Sequence, residues 1–220
     1  MPNSKPNANF LLNNGLKNTS PVPRSYANGV SANQATIANN VETLLQVICG
    51  GSDGQTLRSG LLETPNRVAK AFTHWFGGYD IDVPALFKQF EDGAEGCNQM
   101  VIVKNIPFYS HCEHHLAPII GTATVAYIPN ESIVGLSKLN RVVDAYARRL
   151  QVQERITNQV ADAINEHLSP LGVGVKLTAR HLCMESRGVC QQGHVTVTTA
   201  LRGVLLTDPS ARHEFLSECK

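Results

Sequence analysis

The chain has 220 residues, of which 42% are hydrophobic and 17% charged, and its formal net charge is +1. That supplies a real core for one domain with an extension, or at most two small domains. The near-neutral balance excludes a molecule built throughout to attract nucleic acid. No apolar run reaches the ~18–20 residues needed to cross a bilayer. The N-terminus lacks the charged region and apolar block of a secretory signal. Six cysteines, at 49, 97, 112, 183, 190 and 219, form no dense framework. This points to a reducing cytoplasm, where cysteine more often serves metal or catalysis than disulfides.

Residues 1–35 are rich in Asn, Ser, Pro and Gly and show no sustained period, so they read as a disordered or loosely ordered arm. The folded domain is expected over 36–220. "TIANNVETLLQVIC" puts Ile37, Val41, Leu44, Leu45 and Ile48 on one helical face, and Gly50-Gly51 ends it. "ETPNRVAKAFTHWF" predicts a second helix, with Thr64 as N-cap and Pro65 at its first position. Four strands are expected at 100–106, 121–129, 174–184 and 194–206, each alternating or β-branched. Between the second and third lie two helices. One is "SKLNRVVDAYARRL" with Ser137 as N-cap; the other runs from near Val152 to Leu168, where Ser169-Pro170 breaks it. The order α-α-β-β-α-α-β-β predicts an α+β domain, with helices on one face of an antiparallel sheet.

"YSHCEHHLAP", at 109–118, holds one Cys, one Glu and three His within five positions. Cys112 and His115 are three apart, a spacing that can aim a thiolate and an imidazole at one point. A C-x-x-H alone is a common chance pattern, and a strand cysteine is ordinarily a small hydrophobe. Clustered imidazoles, however, pack poorly without a metal or charge partner. Cys183 is the best third ligand. In the strand expected at 174–184, His181 and Cys183 share parity and therefore one face. A Cys-His-Cys set leaves zinc's fourth position open, as catalytic sites do. His114 and His181 remain as proton carriers.

"GLSKLNR" sets Lys138 and Arg141 on one face at a helix start. Cations there oppose the helix dipole unless an anion is supplied, which points to phosphate; solvated surface charge is the plain alternative. Arg187 adds a guanidinium fork matched to phosphate oxygens. In "QVQERI", Glu154 can accept two N–H bonds from a guanine edge and Gln153 can add complementary ones. An acidic residue that merely favours the dipole is common at that position.

Taken together, these residues resemble the GTP cyclohydrolase I family. The matching motifs are "GLLETPNRVAK" (60–70), "CEHHLAP" (112–118), "VAYIPN" (125–130), "GLSKLNR" (135–141), "RRLQVQER" (148–155), "HLCMESRGV" (181–189) and "RHEFL" (212–216), in the family's order. The resemblance implies the tunnelling (T) fold: a four-stranded antiparallel sheet with two helices on one face, plus N-terminal helices. It implies zinc on Cys112, His115 and Cys183. It puts guanine on Glu154 and Gln153, and triphosphate on Lys138, Arg141 and Arg187. Arg67 and Lys70 add charge from a neighbouring subunit. Hydrolytic attack at C8 opens the guanine ring, with His114 moving protons at the purine. His181 and Ser137 assist ribose opening and rearrangement after formate is released. The product is 7,8-dihydroneopterin triphosphate, the first step of tetrahydrofolate or pterin biosynthesis. The implied assembly is a homodecamer of two face-to-face pentamers with inter-subunit sites, without nucleic acid or membrane partners. Glu185 and Cys190-Gln191 depart from the family pattern, and Glu185 puts a carboxylate near the expected phosphate site. Two other classes remain: a T-fold relative acting on another purine or pterin, against which the intact "SKLNR", "QVQER" and "HLC" sets argue, and a non-enzymatic zinc module, for which His111 or His114 is available as fourth ligand.

Overall fold

The computed structural model describes residues 33–49, 57–93 and 95–219. Most of the expected arm, residues 1–32, lies outside them. Helix α1 (Gln34–Cys49) starts two residues before the expected Thr36, and it packs on α2 (Thr64–Trp75). Thr64 is the first helical residue rather than the cap, which falls at Glu63. Short 3-10 turns follow at Ser59–Leu61 (before α2), Gly77–Asp80 and Pro84–Leu86. The rest of the chain builds a sheet and its two covers. Its strands are β1 (Gln89–Phe90), β2 (Val101–Cys112), β3 (Pro118–Ile128), β4 (Ile133–Val134), β5 (Leu150–Gln151), β6 (Gly172–His181) and β7 (Thr196–Gly203). The further helices are α3 (Leu136–Ala147), α4 (Gln153–Leu168), α5 (Leu182–Glu185), α6 (Val204–Thr207) and α7 (Pro209–Glu218).

The main sheet has the order β5-β2-β3-β6-β7. The four long strands pair antiparallel. The expectation of four strands is corrected by β5, whose two residues pair parallel with His111 and Cys112. A second, two-stranded sheet joins β1 to β4.

Helices α3 and α4 cover one face. On α4, Ile156, Val160, Ile164 and Leu168 recur every four residues and are buried, as are Leu139, Val142 and Val143 on α3. They meet Val125, Tyr127, Val173, Val175 and Leu177 of the sheet in one cluster. Each such side chain contributes about 1.5–3 kcal/mol by leaving water, so this layer carries most of the domain's stability. The opposite face is covered at one end by α6 and α7, whose Leu205 and Phe215 pack on Ala126. Gly174 makes that contact possible, because a Cβ there would lie 3.0 Å from the Phe215 ring.

Three local differences from the expected elements have physical causes. The last strand stops at Gly203, not at 206: Gly203 has φ +57°, and a Cβ there would lie 2.2 Å from the Leu171 carbonyl oxygen. The chain turns at that point into α6 although "VLL" continues an apolar run. Helix α3 is preceded by Gly135, and Ser137 lies inside its first turn rather than capping it. Strand β6 ends at His181, and Cys183 lies on the helical turn α5.

Candidate metal centre and active site

The register of β2 is broken between Val103 and Ile106, and Asn105 there has φ +56°. Asn tolerates this left-handed conformation better than most residues. The irregularity switches parity. Val103 and Val101 pack toward the helix side before it; Ile106, Phe108 and Cys112 face that side after it. A bulge thus delivers the Cys112 thiol to the layer where α4 begins.

Beyond Cys112 the chain reverses tightly. The Cys112 N–H donates to the Ala117 carbonyl at 2.8 Å, and the His115 and Leu116 N–H groups donate to the Cys112 carbonyl at 3.3 and 2.8 Å. Leu116 takes φ +54° to close the turn. This folding brings His115 Nδ1 to 3.7 Å from Cys112 Sγ, and His114 Nδ1 to 3.8 Å. Cys183 arrives from α5. The ligand atoms of Cys112, His115 and Cys183 all lie within 4.8 Å of one another.

The donor set fits a tetrahedral metal. Bonds of about 2.3 Å to sulfur and 2.0–2.1 Å to nitrogen put neighbouring donors roughly 3.5–3.8 Å apart. Burial and the neighbouring Cys112 thiol push the Cys183 thiol above its ordinary pKa. Thiol ligands give up their protons when a metal binds, so two cysteines brought together beside an imidazole suit a cation. His111 does not join the group: its ring packs against Trp75 and Phe76 at 5.0 and 5.1 Å, and burial lowers its pKa. Three donors leave the fourth position free.

The loop is tied to the start of α4. Arg155 donates to both Glu113 oxygens, at 2.5 and 3.1 Å, and the Glu113 N–H donates to the Gln151 carbonyl at 3.0 Å. The Arg155 guanidinium holds the Glu113 carboxyl below its ordinary pKa. Gln151 is itself buried and donates to the Tyr146 carbonyl and to Gln159. Next along α4, Gln153 is buried while Glu154 is exposed. The Gln153 carboxamide reaches His181 Nε2 at 2.7 Å. Burial lowers the His181 pKa, and the nearby Glu154 charge opposes that shift. Arg187 lies 3.2 Å from His115 Nε2 through Nη1.

One chain therefore gathers Cys112, His114, His115, His181, Cys183, Arg187, Gln153 and Glu154. Ser137, Lys138 and Arg141 lie elsewhere. They sit at the start of α3, next to β4, where the Val134 N–H meets the Tyr127 hydroxyl. Tyr127 is opposite Val101, at the far end of the sheet from Cys112. Twelve helical residues span about 18 Å, and the end of α3 near the metal group is its C-terminus. Arg67 and Lys70 are exposed on α2, where Arg67 pairs with Glu63.

Glu185, the departure from the family pattern, is buried and held by Arg180 Nε and Nη2 at 2.9 and 2.5 Å. Arg180 lowers its carboxyl pKa, and its negative charge is matched within the chain. Reading the sequence missed three features: Arg155 as the partner of Glu113, Arg180 as the partner of Glu185, and His194, which lies within electrostatic reach of both Glu185 and His181. Only for Arg180, five residues from Glu185, was a local signal available.

A sequence profile described as GTP cyclohydrolase I matches residues 37–220. The chain belongs to the GTP cyclohydrolase I family. It is 58% identical over 159 residues to GTP cyclohydrolase 1 of Janthinobacterium sp. (strain Marseille), covering 72% of this chain and 80% of that protein. With GTP cyclohydrolase 1 of Nitrosospira multiformis it shares 54% identity over 160 residues, 73% and 84% of the two chains. With that of Leptospira biflexa it shares 51% over 180 residues, 81% and 94%. The chain is an enzyme of the GTP cyclohydrolase I type. The Cys112–His115–Cys183 group lies inside the matched span. Among the described residues, no helix of this GTP cyclohydrolase I family member is long and apolar enough to cross a membrane.

Proposed function

We propose that this enzyme opens the guanine ring of GTP by zinc-dependent hydrolysis, releases formate and forms 7,8-dihydroneopterin triphosphate, the first step of tetrahydrofolate or pterin biosynthesis in the cytoplasm. The observation that carries this reading is the convergence of a three-donor thiolate–imidazole group with the His181–Gln153–Glu154 start of α4. Cys112, His115 and Cys183 hold the zinc. When bound, zinc supplies a nucleophile near neutral pH by lowering the pKa of water. The exposed Glu154 carboxylate accepts the guanine ring N–H and exocyclic amine, and Gln153 belongs to the same recognition end. His114, beside Cys112, moves protons at the purine. His181 and Ser137 serve the ribose rearrangement.

Lys138, Arg141 and Arg187 bind the triphosphate, with Arg67 and Lys70 adding positive charge from a neighbouring copy. The pairing of Glu185 with Arg180 supports this placement, because it neutralises the one carboxylate that threatened it. The position of α3 supports a homo-oligomer. Its N-terminus lies about 18 Å from the end that carries the metal group, so its cations serve a site on another copy. Strand β7 is an edge, and Tyr109, Ile120 and Val197 are exposed on the part of the sheet that α7 leaves bare. Leu44, Val47 and Ile48 are exposed on α1. These surfaces suit a decamer of two pentamers. Residues 36–220, together with the first turn of α1 from Gln34, form the catalytic domain.

The test is chemical. Zinc-loaded protein incubated with GTP is expected to release one formate for each GTP consumed and to accumulate a fluorescent pteridine after oxidation. GTP consumption without formate, or no consumption at all, overturns the proposal.

A further inference from the structure

Gln153 is fully enclosed, with 1% of its surface exposed. Its carboxamide nitrogen lies 3.0 Å from the Thr196 carbonyl, 3.3 Å from the Leu177 carbonyl and 3.1 Å from Thr198 Oγ1. Two of those three partners are backbone carbonyls, which can only accept. The amide end that faces them is therefore the NH2 end, and the other end, toward His181, is the carbonyl oxygen.

The hydroxyls nearby give the same answer independently. Thr157 Oγ1 donates to the Gln153 backbone carbonyl at 2.8 Å, which uses its one hydrogen. The 2.6 Å contact between Thr157 and Thr198 must then have Thr198 as donor. That uses the Thr198 hydrogen, so Thr198 Oγ1 can only accept from Gln153. Every direction in the ring follows from one carbonyl at the start of α4.

We infer that Gln153 is a positioning residue: its side-chain oxygen accepts the hydrogen of His181 Nε2 and fixes the ring's orientation. The 2.7 Å contact is the bond in question. The frame around it spans α4, β6 and β7, so the ring is aimed by three elements at once. This rests on the reading of His181 as an active-site residue. It changes the part assigned to Gln153: a carboxamide with both ends occupied has no free donor for a base edge, so guanine recognition falls to Glu154.

The experiment compares Gln153→Met, His181→Ala and the double variant, each checked for zinc content and for secondary structure by circular dichroism. A positioning role predicts a fall in kcat of roughly 10- to 100-fold with the KM for GTP nearly unchanged. The same reaction intermediate should accumulate as in His181→Ala, and the double variant should be no slower than the slower single. A rise in KM with kcat retained, or a relaxed preference for GTP over other nucleotides, shows Gln153 to be a base reader and overturns the inference. Should Gln153→Met fail to fold, Thr198→Val removes one outer partner and is expected to lower kcat a few-fold without moving KM. Neutron diffraction from wild-type crystals stands apart from folding and turnover alike. Hydrogen at Nε2 facing Gln153 supports the assignment, and hydrogen at Nδ1 alone overturns it. Absence of formate from the wild type defeats the GTP reading but leaves the neutron result to judge this one.

Discussion

A lone C-x-x-H says little, because two donors can meet anywhere on a surface. What makes it a candidate metal centre is a third donor from sequence position 183, brought within 4.8 Å by the helical turn α5 that follows β6. Cys112→Ser and Cys183→Ser are each expected to abolish zinc retention and turnover, since each removes one of three ligands. Metal analysis of the purified variants checks this; a full zinc complement in either contradicts the assignment. Glu154 is read differently, by its freedom. It is exposed beside a residue whose polar atoms are all engaged. Two hydrogen bonds to a carboxylate are worth about 1.5–3 kcal/mol each. Glu154→Ala should therefore lower kcat/KM for GTP by at least ~100-fold, and the wild type should reject ATP, whose base edge mispairs donors and acceptors. Comparable ATP turnover in steady-state assays would count against Glu154 as the reader. At this scale the metal triple was legible because histidine and cysteine announce their chemistry. The partners of Gln153 were not: they lie 24 to 45 residues away in sequence, and nothing local marks a buried amide as already committed.

Elements set the distances between these groups. The helical period of α4 was plain in the sequence because Ile156, Val160, Ile164 and Leu168 need one buried face. The long strands were plain for the corresponding reason. The misread ends all turn on backbone rather than pattern. Gly203 stops β7 through its positive φ. The strand parity that seemed to place Cys183 beside His181 ends two residues too early, and a helical turn supplies the thiol instead. The β2 bulge at Asn105 reverses facing, which periodicity alone does not reveal. The link between β2's end and α4's start is the Arg155–Glu113 fork, 42 residues apart. Arg155→Lys keeps the charge and loses the two-point geometry. It is expected to weaken zinc about 10-fold, as loss of a group supporting metal ligands does. Competition with a colorimetric chelator measures this, and an unchanged zinc affinity would show the fork to be a surface ion pair only.

The single chain carries two residue groups, proposed above as halves of one site, that do not meet. The metal group and Glu154 lie where β2 ends and α4 begins. Lys138 and Arg141 lie at the start of α3, beside β4 and the opposite end of the sheet. No rotamer change of a lysine covers about 18 Å of helix. If both halves act on one GTP, the second half comes from another copy. Complementation follows from that. Cys112→Ser destroys the metal half and Arg141→Ala the phosphate half, so each homo-oligomer should be nearly inactive. Co-expressed as mixed oligomers, they pair an intact metal half on one copy with an intact phosphate half on its neighbour. With random assembly about a quarter of the sites combine two sound halves, so the mixture should recover roughly that share of wild-type formate release. Differently tagged chains purified in tandem ensure that both variants are present in each particle. Activity no higher than the parents in such doubly tagged particles would mean that Lys138 and Arg141 do not complete a neighbour's site. The phosphate would then have to be held by Arg187 and by residues of the same chain.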